Sequence, residues 1–291
     1  YNNDTTSDKF LVRLDWNVNE RNKVTVRYTH HNSLADQPIS NSASLGAGNR
    51  RSNLDAMSYQ NSGYLIGDNT RSIVGEWNGT LTDKISNNLI VGYDYQNEDR
   101  KYKGEVFPTI DILQNGATYI SAGFDPFTPD NQLDYGTFHA TNNLSIYLNK
   151  HTVTVGANYE RYQSNNLFFP GSHGVYIFSS LQDFYNAANF GIDNPGADTS
   201  DTKIRRFQYR YSGLPNDEKP LQVLKANKFD LYAQDEIQMG KNFRLTAGVR
   251  ASLISFENTA LTNESLLNNN VFYTEEGDSS LVINTGTMPD S

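Results

Sequence analysis

The chain has 291 residues, with 33 acidic against 24 basic side chains and a net charge of −9 at pH 7, a balance that argues against nucleic acid as a partner. Cysteine is absent, which removes disulfides and thiolate metal sites, and no run approaches the roughly 18 apolar residues of a spanning helix. Hydrophobic residues reach only 37%; this suits a soluble protein and equally a membrane β-barrel, whose apolar residues alternate with polar ones and average out.

The first predicted element is a hairpin. Phe10, Val12, Leu14 and Trp16 alternate with Leu11, Arg13, Asp15 and Asn17, the polar turn "VNERN" follows, and Val24, Val26 and Tyr28 alternate with Thr25, Arg27 and Thr29. A second hairpin runs through Ile73, Gly75, Trp77, Gly79 and Leu81, turns at "DKISN" and leaves through Leu89, Val91, Tyr93 and Tyr95. A third has Leu144, Ile146 and Leu148, a turn at Lys150–His151, then Val153, Val155, Ala157 and Tyr159. "FDLYAQDEIQMGKNFRLTAGVRASL", Phe229 to Leu253, is the fourth.

Between the hairpins lie long Asn-, Ser-, Gly- and Asp-rich connections at about 31–70, 100–135 and 164–226. Loops beyond about 15 residues are uncommon in compact domains. Here they alternate strictly with tight turns, which in an up-and-down sheet puts every short turn at one end and every long loop at the other, as in outer-membrane barrels. In the longest loop "GVYIF" reads as a strand, "SSLQDFYNAAN" as a short helix capped by Ser180 with Asp183 three residues on, and "IRRFQYRYS" as a strand able to pair with the first. After Phe256 only "NNVFYTEE" and "SSLVINTG" suggest strands. The chain opens at Tyr1 without a signal-peptide pattern and closes on "TGTMPDS", so it reads as a fragment: residues 1–255 barrel strands with loops, residues 256–291 a truncated continuation.

Alternation alone fits either an antiparallel sandwich or a membrane barrel. The runs, about 9 to 13 residues, exceed the usual strand and match a tilted membrane strand. Trp16, Tyr93, Tyr95, Tyr159, Phe229 and Phe243 lie near run ends, where a bilayer interface wants aromatics. The polar face carries both signs of charge with Gly92, Gly156 and Gly248, as a wet lumen would. Asp235 is the exception, because alternation puts it on the oily face; a place at the periplasmic interface or beside a bulge would accommodate it.

"LYAQDEIQMGKNFRLTAGVRAS" resembles the strand–turn–strand of TonB-dependent outer-membrane receptors, and "KFLVRLDWNVNERNKVTVRYTHHN" and "SSLQDF" resemble their Oar-like branch, common in Bacteroidetes-type bacteria. The similarity runs from about Asp8 to about Ser255. It implies an all-β, antiparallel, up-and-down barrel of about 22 strands, eight of them visible here, closed by a plug. Such a transporter imports a bulky, scarce ligand with energy from the TonB complex. No plug-like segment or TonB-contacting box is found in these residues, so the expected partners are outer-membrane lipid, a plug and further strands outside this chain, the TonB complex, and an extracellular ligand.

The residues expected to line the lumen are Arg13, Asp15, Arg27, Glu76, Asp94, Glu160, Asp230, Glu236, Arg244 and Arg250; taken singly, each also reads as a hydrated wall residue in a cross-strand pair. Phe168, Phe169, Tyr176, Phe178, Phe207, Tyr209 and Tyr211, with Phe184 and Tyr185, are candidates for ligand capture, since aromatics give large contact area at low entropy cost; packing the loop's own small core is the competing role. Of the histidines His30, His31, His139, His151 and His173, the His30–His31 pair reads as solvated residues at the start of a long loop, with no third ligand to make a metal site, and His151 as a turn residue. The acidic stretches Asn2–Asp8 and Asp193–Asp201 lack calcium-loop spacing. No catalytic motif occurs, so neither cofactor nor enzymatic activity is expected. A surface-anchored β-sandwich adhesin or glycan-binding module, and a passive porin, remain the rival readings.

Overall fold

The computed structural model describes residues 3–196, 202–259, 271–272 and 282–283. The chain through Glu257 is one compact unit, and Asn258 onward is another. The first unit contains β1 (Thr5–Asn19), β2 (Asn22–Gln37), β3 (Met57–Ser58), β4 (Tyr64–Gly67), β5 (Asn69–Thr82), β6 (Ile85–Asn97), β7 (Arg100–Tyr102), β8 (Thr109–Gln114), β9 (Ala117–Ala122), β10 (Asn131–Leu148), β11 (His151–Phe168), β12 (Val175–Phe178), α1 (Leu181–Asp193), β13 (Arg206–Gln208), β14 (Gln222–Gln238) and β15 (Arg244–Phe256). In the second unit β16 (Val271–Phe272) pairs antiparallel with β17 (Val282–Ile283). These residues fall inside the two predicted tail strands, whose remaining positions lie outside the described residues.

The long strands form an antiparallel meander in the order β1-β2-β5-β6-β10-β11-β14-β15, the up-and-down path the alternation predicts. Two-residue turns join β1 to β2, β5 to β6 and β10 to β11; in the last, Asn149 takes a positive φ of 23°, a region its side chain tolerates better than most. The ladders are continuous: β10 and β11 pair from Leu148 opposite His151 to Asn131 opposite Phe168. Because side chains alternate with period two, this register puts Leu14, Val91, Val155, Val249 and Leu253 on one face and Arg13, Asp94, Thr154, Gly248 and Arg250 on the other.

Several strands are longer than the sequence pattern indicates, reaching 18 residues in β10 and β11 against the roughly 9 to 11 of a tilted membrane strand. The turns are tight, so the surplus projects at the long-loop end. For a wall of the expected kind, the outer face there would no longer meet hydrocarbon, so alternation is not required, and the pattern falls silent although the ladder goes on. Residues predicted as the starts and ends of loops, His31 to Gln37 and Asn131 to Asp134 among them, are strand.

The three long connections fold together into a cap. Its sheet has the order β13-β12-β8-β9-β3, with β12 parallel to β8 and β3 parallel to β9, so it takes strands from all three loops. One face carries Ile110, Ile112 and Phe178, packed with Leu181, Phe184 and Ala187 of α1. The helix begins as predicted, with the Ser180 Oγ accepting from the Asp183 amide at 3.0 Å. On the other face Val175 and Ile177 are buried beside Asp111.

Candidate functional site: the polar wall and the cap

All ten residues expected to line a lumen lie on the same face of the meander. Most are committed to neighbours. Arg13 Nε donates to Asp15 at 2.7 Å, which also meets Lys23 at 3.0 Å and accepts from Thr25 Oγ1 at 2.9 Å. Glu76 accepts from Asn78 and Asn88 at 2.8 and 3.1 Å. Asp230 is fully buried and accepts from Arg250 at 2.6 Å and Asn158 at 3.1 Å, while Lys228 lies 3.5 Å from both Asp230 and Glu160. Arg244 pairs with Glu236 at 3.2 Å and Asp94 with His139 at 3.3 Å. Arg27 stands directly opposite Arg13 and makes no ion pair among the described residues. Charges that satisfy one another across strands give a polar, hydrated wall rather than a station of one sign.

Two glycines on this face have a role that composition did not suggest. A Cβ at Gly92 would collide with the His139 ring, and one at Gly156 with Tyr232. The bare backbone leaves the space each ring occupies. From there the Tyr232 hydroxyl donates to Asn143 Oδ1, and Arg250 Cζ lies 5.5 Å from the tyrosine ring, a cation–π distance.

The opposite face is bare. Leu14, Leu253 and Val249 are 67%, 69% and 76% exposed, and no second sheet covers them among the described residues, which is the one thing a sandwich requires. Phe10 to Val18 spans eight steps; at about 3.4 Å per residue and a tilt near 40° the rise is roughly 21 Å, close to the ~25 Å apolar band of an outer-membrane barrel. Tyr28, Tyr93 and Phe138 mark its upper rim through the register Tyr28–Ile73–Tyr93–Phe138; one same-face step lower Tyr159 stands opposite Phe229, its ring 6.2 Å from Phe138 on the diagonal. At the lower rim Trp77 Nε1 donates to Asn22 Oδ1 at 3.0 Å. Asp235 does face outward, but near the end of its strand, and His151 meets it at 2.7 Å.

The cap is held by a buried ion pair. Arg50, from the first long loop, and Asp111, on β8, both have fully buried side chains. Arg50 Nε and Nη2 donate to the two carboxylate oxygens at 2.9 and 2.8 Å, and the guanidinium also reaches the carbonyls of Ser40, Ser42 and Leu45. Ser121 Oγ and the Ala47 amide, both at 2.7 Å, complete the carboxylate's partners. From the third loop, Arg206 donates to the Gly46 carbonyl and Gln208 Oε1 accepts from its amide at 3.1 Å. The one sequence signal was Asp111 itself, a carboxylate inside the apolar run "TIDIL".

The candidate capture aromatics divide. Phe169 and Phe178 are 8% and 5% exposed and pack inside the cap, so they offer no surface to a ligand. Tyr176 is half-buried. Its ring stands 4.6 Å from Phe207, and Phe207 lies 6.3 Å from Tyr209 at 6° between planes. Phe207, Tyr209, Tyr211 and Phe168 are all exposed, and α1 covers only the Phe178 end of this row. The histidines are not loop residues as a group: His30 and His31 lie within β2, bonded to Tyr28 and Ser7, and His173 Nδ1 is 3.1 Å from Ser172 Oγ. Among the described residues no three acidic or histidine side chains are grouped to hold a metal; Asn2 and residues 197–201 of the two acidic stretches lie outside the described set.

The sequence profile of the family described as "Outer membrane beta barrel domain" matches residues 1–288. The chain belongs to the outer membrane β-barrel domain family. Membership puts it in the outer membrane and gives its bare aliphatic face hydrocarbon to meet. No curated protein matches by sequence. Among solved structures, the fold of this barrel-family chain resembles the outer membrane transporter YddB from Escherichia coli, with a TM-score of 0.54 at 12% identity, covering 86% of this chain and 27% of that one. It also resembles the ferric-catecholate import receptor Fiu from E. coli K12 in its open form, with a TM-score of 0.50 at 12% identity, covering 99% and 42%. The chain therefore spans less than half of either protein. No helix among the described residues is long and apolar enough to cross a membrane, and the family crosses with strands.

Proposed function

We propose that these residues form part of the wall and the extracellular cap of a TonB-dependent transporter of the Oar-like branch, which imports a bulky, scarce ligand and is not an enzyme. A plug and the remaining strands would come from the rest of the protein, and energy from the TonB complex. The observation that carries this reading is the uncovered aromatic row Tyr176–Phe207–Tyr209, presented on a cap that three loops assemble above a polar wall. Rigid rings that are already in place bind at low entropic cost, and the charge-balanced wall below suits passage rather than retention. The resemblance in fold to a transporter and an import receptor supports the same reading.

The test is growth of the host lacking this gene, complemented with the full-length protein, on media where a ferric chelate, an oligosaccharide or a peptide is in turn the limiting nutrient. Wild type should restore growth on one of them, Phe207→Ala/Tyr209→Ala should restore it poorly despite normal barrel assembly, and collapsing the proton-motive force should abolish uptake. Uptake that persists without that force would make the protein a passive pore.

A further inference from the structure

One polar cleft opens on the side of the wall that faces lipid. Asn32, Asn69, Arg71, Tyr95 and Asn97 line about 370 Å³, and every one occupies an outward register position. Arg71 lies opposite His30 on β2 and opposite Tyr95 on β6. Its neighbour on the same face is Ile73, in line with Tyr28 and Tyr93 of the upper aromatic rim. Arg71 thus sits one step outside the hydrocarbon, at the depth where lipid phosphates begin.

Its partners are neutral. Nη1 donates to the carbonyls of His31 and Thr70, each at 2.8 Å, and Nη2 donates to Asn32 Oδ1 at 2.6 Å. These bonds fix the side chain and use three of its five donors. Among the described residues no carboxylate pairs with it, so two donors and the full charge remain. Arg161 is the contrast: it is also outward, opposite the rim residue Phe138, but Glu257 neutralises it at 3.3 Å. The carboxylates nearest the cleft are Asp8 opposite Asn32, Asp134 opposite Asn97, and Asp99 with Lys101 in an adjoining cleft. All lie farther from the rim than Arg71, so Arg71 is on the membrane side and the acids, with Lys101 among them, on the aqueous side.

We propose that this cleft binds the phosphate of an outer-leaflet lipid headgroup. The two unused donors of Arg71 take the phosphate oxygens, and the amides of Asn69 and Asn97 contact the polar group above it. The acids beyond confine the phosphate to the arginine level. This inference rests on the family's place in the membrane and is independent of any transported ligand.

The experiment is native mass spectrometry of the full-length protein in nanodiscs doped with a phosphorylated outer-leaflet glycolipid or with its dephosphorylated form. Wild type should retain the phosphorylated form; Arg71→Gln should retain roughly tenfold less, the scale of one lost charge-assisted contact; Arg161→Gln should match wild type. Asn69→Leu/Asn97→Leu keeps the cation, obstructs the cleft, and should also lose retention, which covers the case of Arg71→Gln failing to assemble. Equal retention by Arg71→Gln and wild type, or equal retention of the dephosphorylated lipid, overturns the proposal. Complete displacement by millimolar inorganic phosphate also overturns it, by making the cleft a free-anion site.

Discussion

His151 and Asp235 meet on the lipid side of the wall, the imidazole Nδ1 2.7 Å from the carboxylate Oδ2. They lie on adjacent strands, and each is close to a short turn: His151 opens β11, and Asp235 is three residues from the end of β14. Alternation alone makes Asp235 an unexplained charge facing hydrocarbon; the ladder gives it a partner at the membrane edge. His151→Leu should therefore destabilise the barrel by about 1 kcal/mol, the cost of a lone acid near the interface. Asp235→Leu should cost less, and the double variant should recover most of the loss. Chemical unfolding in lipid vesicles gives the double-mutant cycle, and strictly additive singles would deny the coupling.

The two faces of the wall should respond oppositely to charge. Arginine replacing Val91, Val155 or Val249 enters hydrocarbon and should cost up to about 2–4 kcal/mol each, according to depth. Arginine replacing Thr80, Thr154 or Thr246 enters the polar face and should be tolerated. The folded fraction after insertion into vesicles reads the difference, and equal tolerance at both sets would remove the membrane assignment of this face.

The seat beneath Tyr232 can be filled. Gly156→Val puts carbon where the ring lies, lifts the tyrosine from Asn143, and should destabilise by about 1–3 kcal/mol, as overpacking does elsewhere. Adding Tyr232→Ala vacates the space, so the double variant should be more stable than Gly156→Val alone. Unfolding midpoints of the three proteins decide it.

Breaking the cap's ion pair should undo the cap and spare the wall. Arg50→Leu strands a buried carboxylate at a cost of about 3–5 kcal/mol. Limited proteolysis should then cut within residues 38–56 while the long strands stay protected. Arg50→Leu/Asp111→Leu should regain much of the resistance, because it leaves no unpaired buried charge.

The wall was legible because hydrocarbon enforces a strict period of two: Val12, Leu14, Val91, Val155 and Val249 announce their face, and tight turns fix the path between them. Above the rim that constraint ends. β10 continues through Asn131 and β11 through Phe168 with no alternation to reveal it. The cap was legible only where a local rule acted, as at Ser180 and Asp183 or along Phe207, Tyr209 and Tyr211. What organises it is non-local: Arg50 and Asp111 are 61 residues apart, and neither has a nearby sequence partner. The same limit applies to the candidate site. Phe178 and Phe207 look alike in the string, and only the course of α1 makes one interior and the other surface.

Because strands from three separate connections interlock in one small sheet, the outer end of this protein behaves as a single inheritable part. Transplanting any one of residues 38–63, 103–130 or 169–221 into a related barrel would import half-ladders, and either of the first two would also bring an orphaned guanidinium or carboxylate. Retargeting such a receptor, by evolution or by design, calls for exchanging all three stretches together.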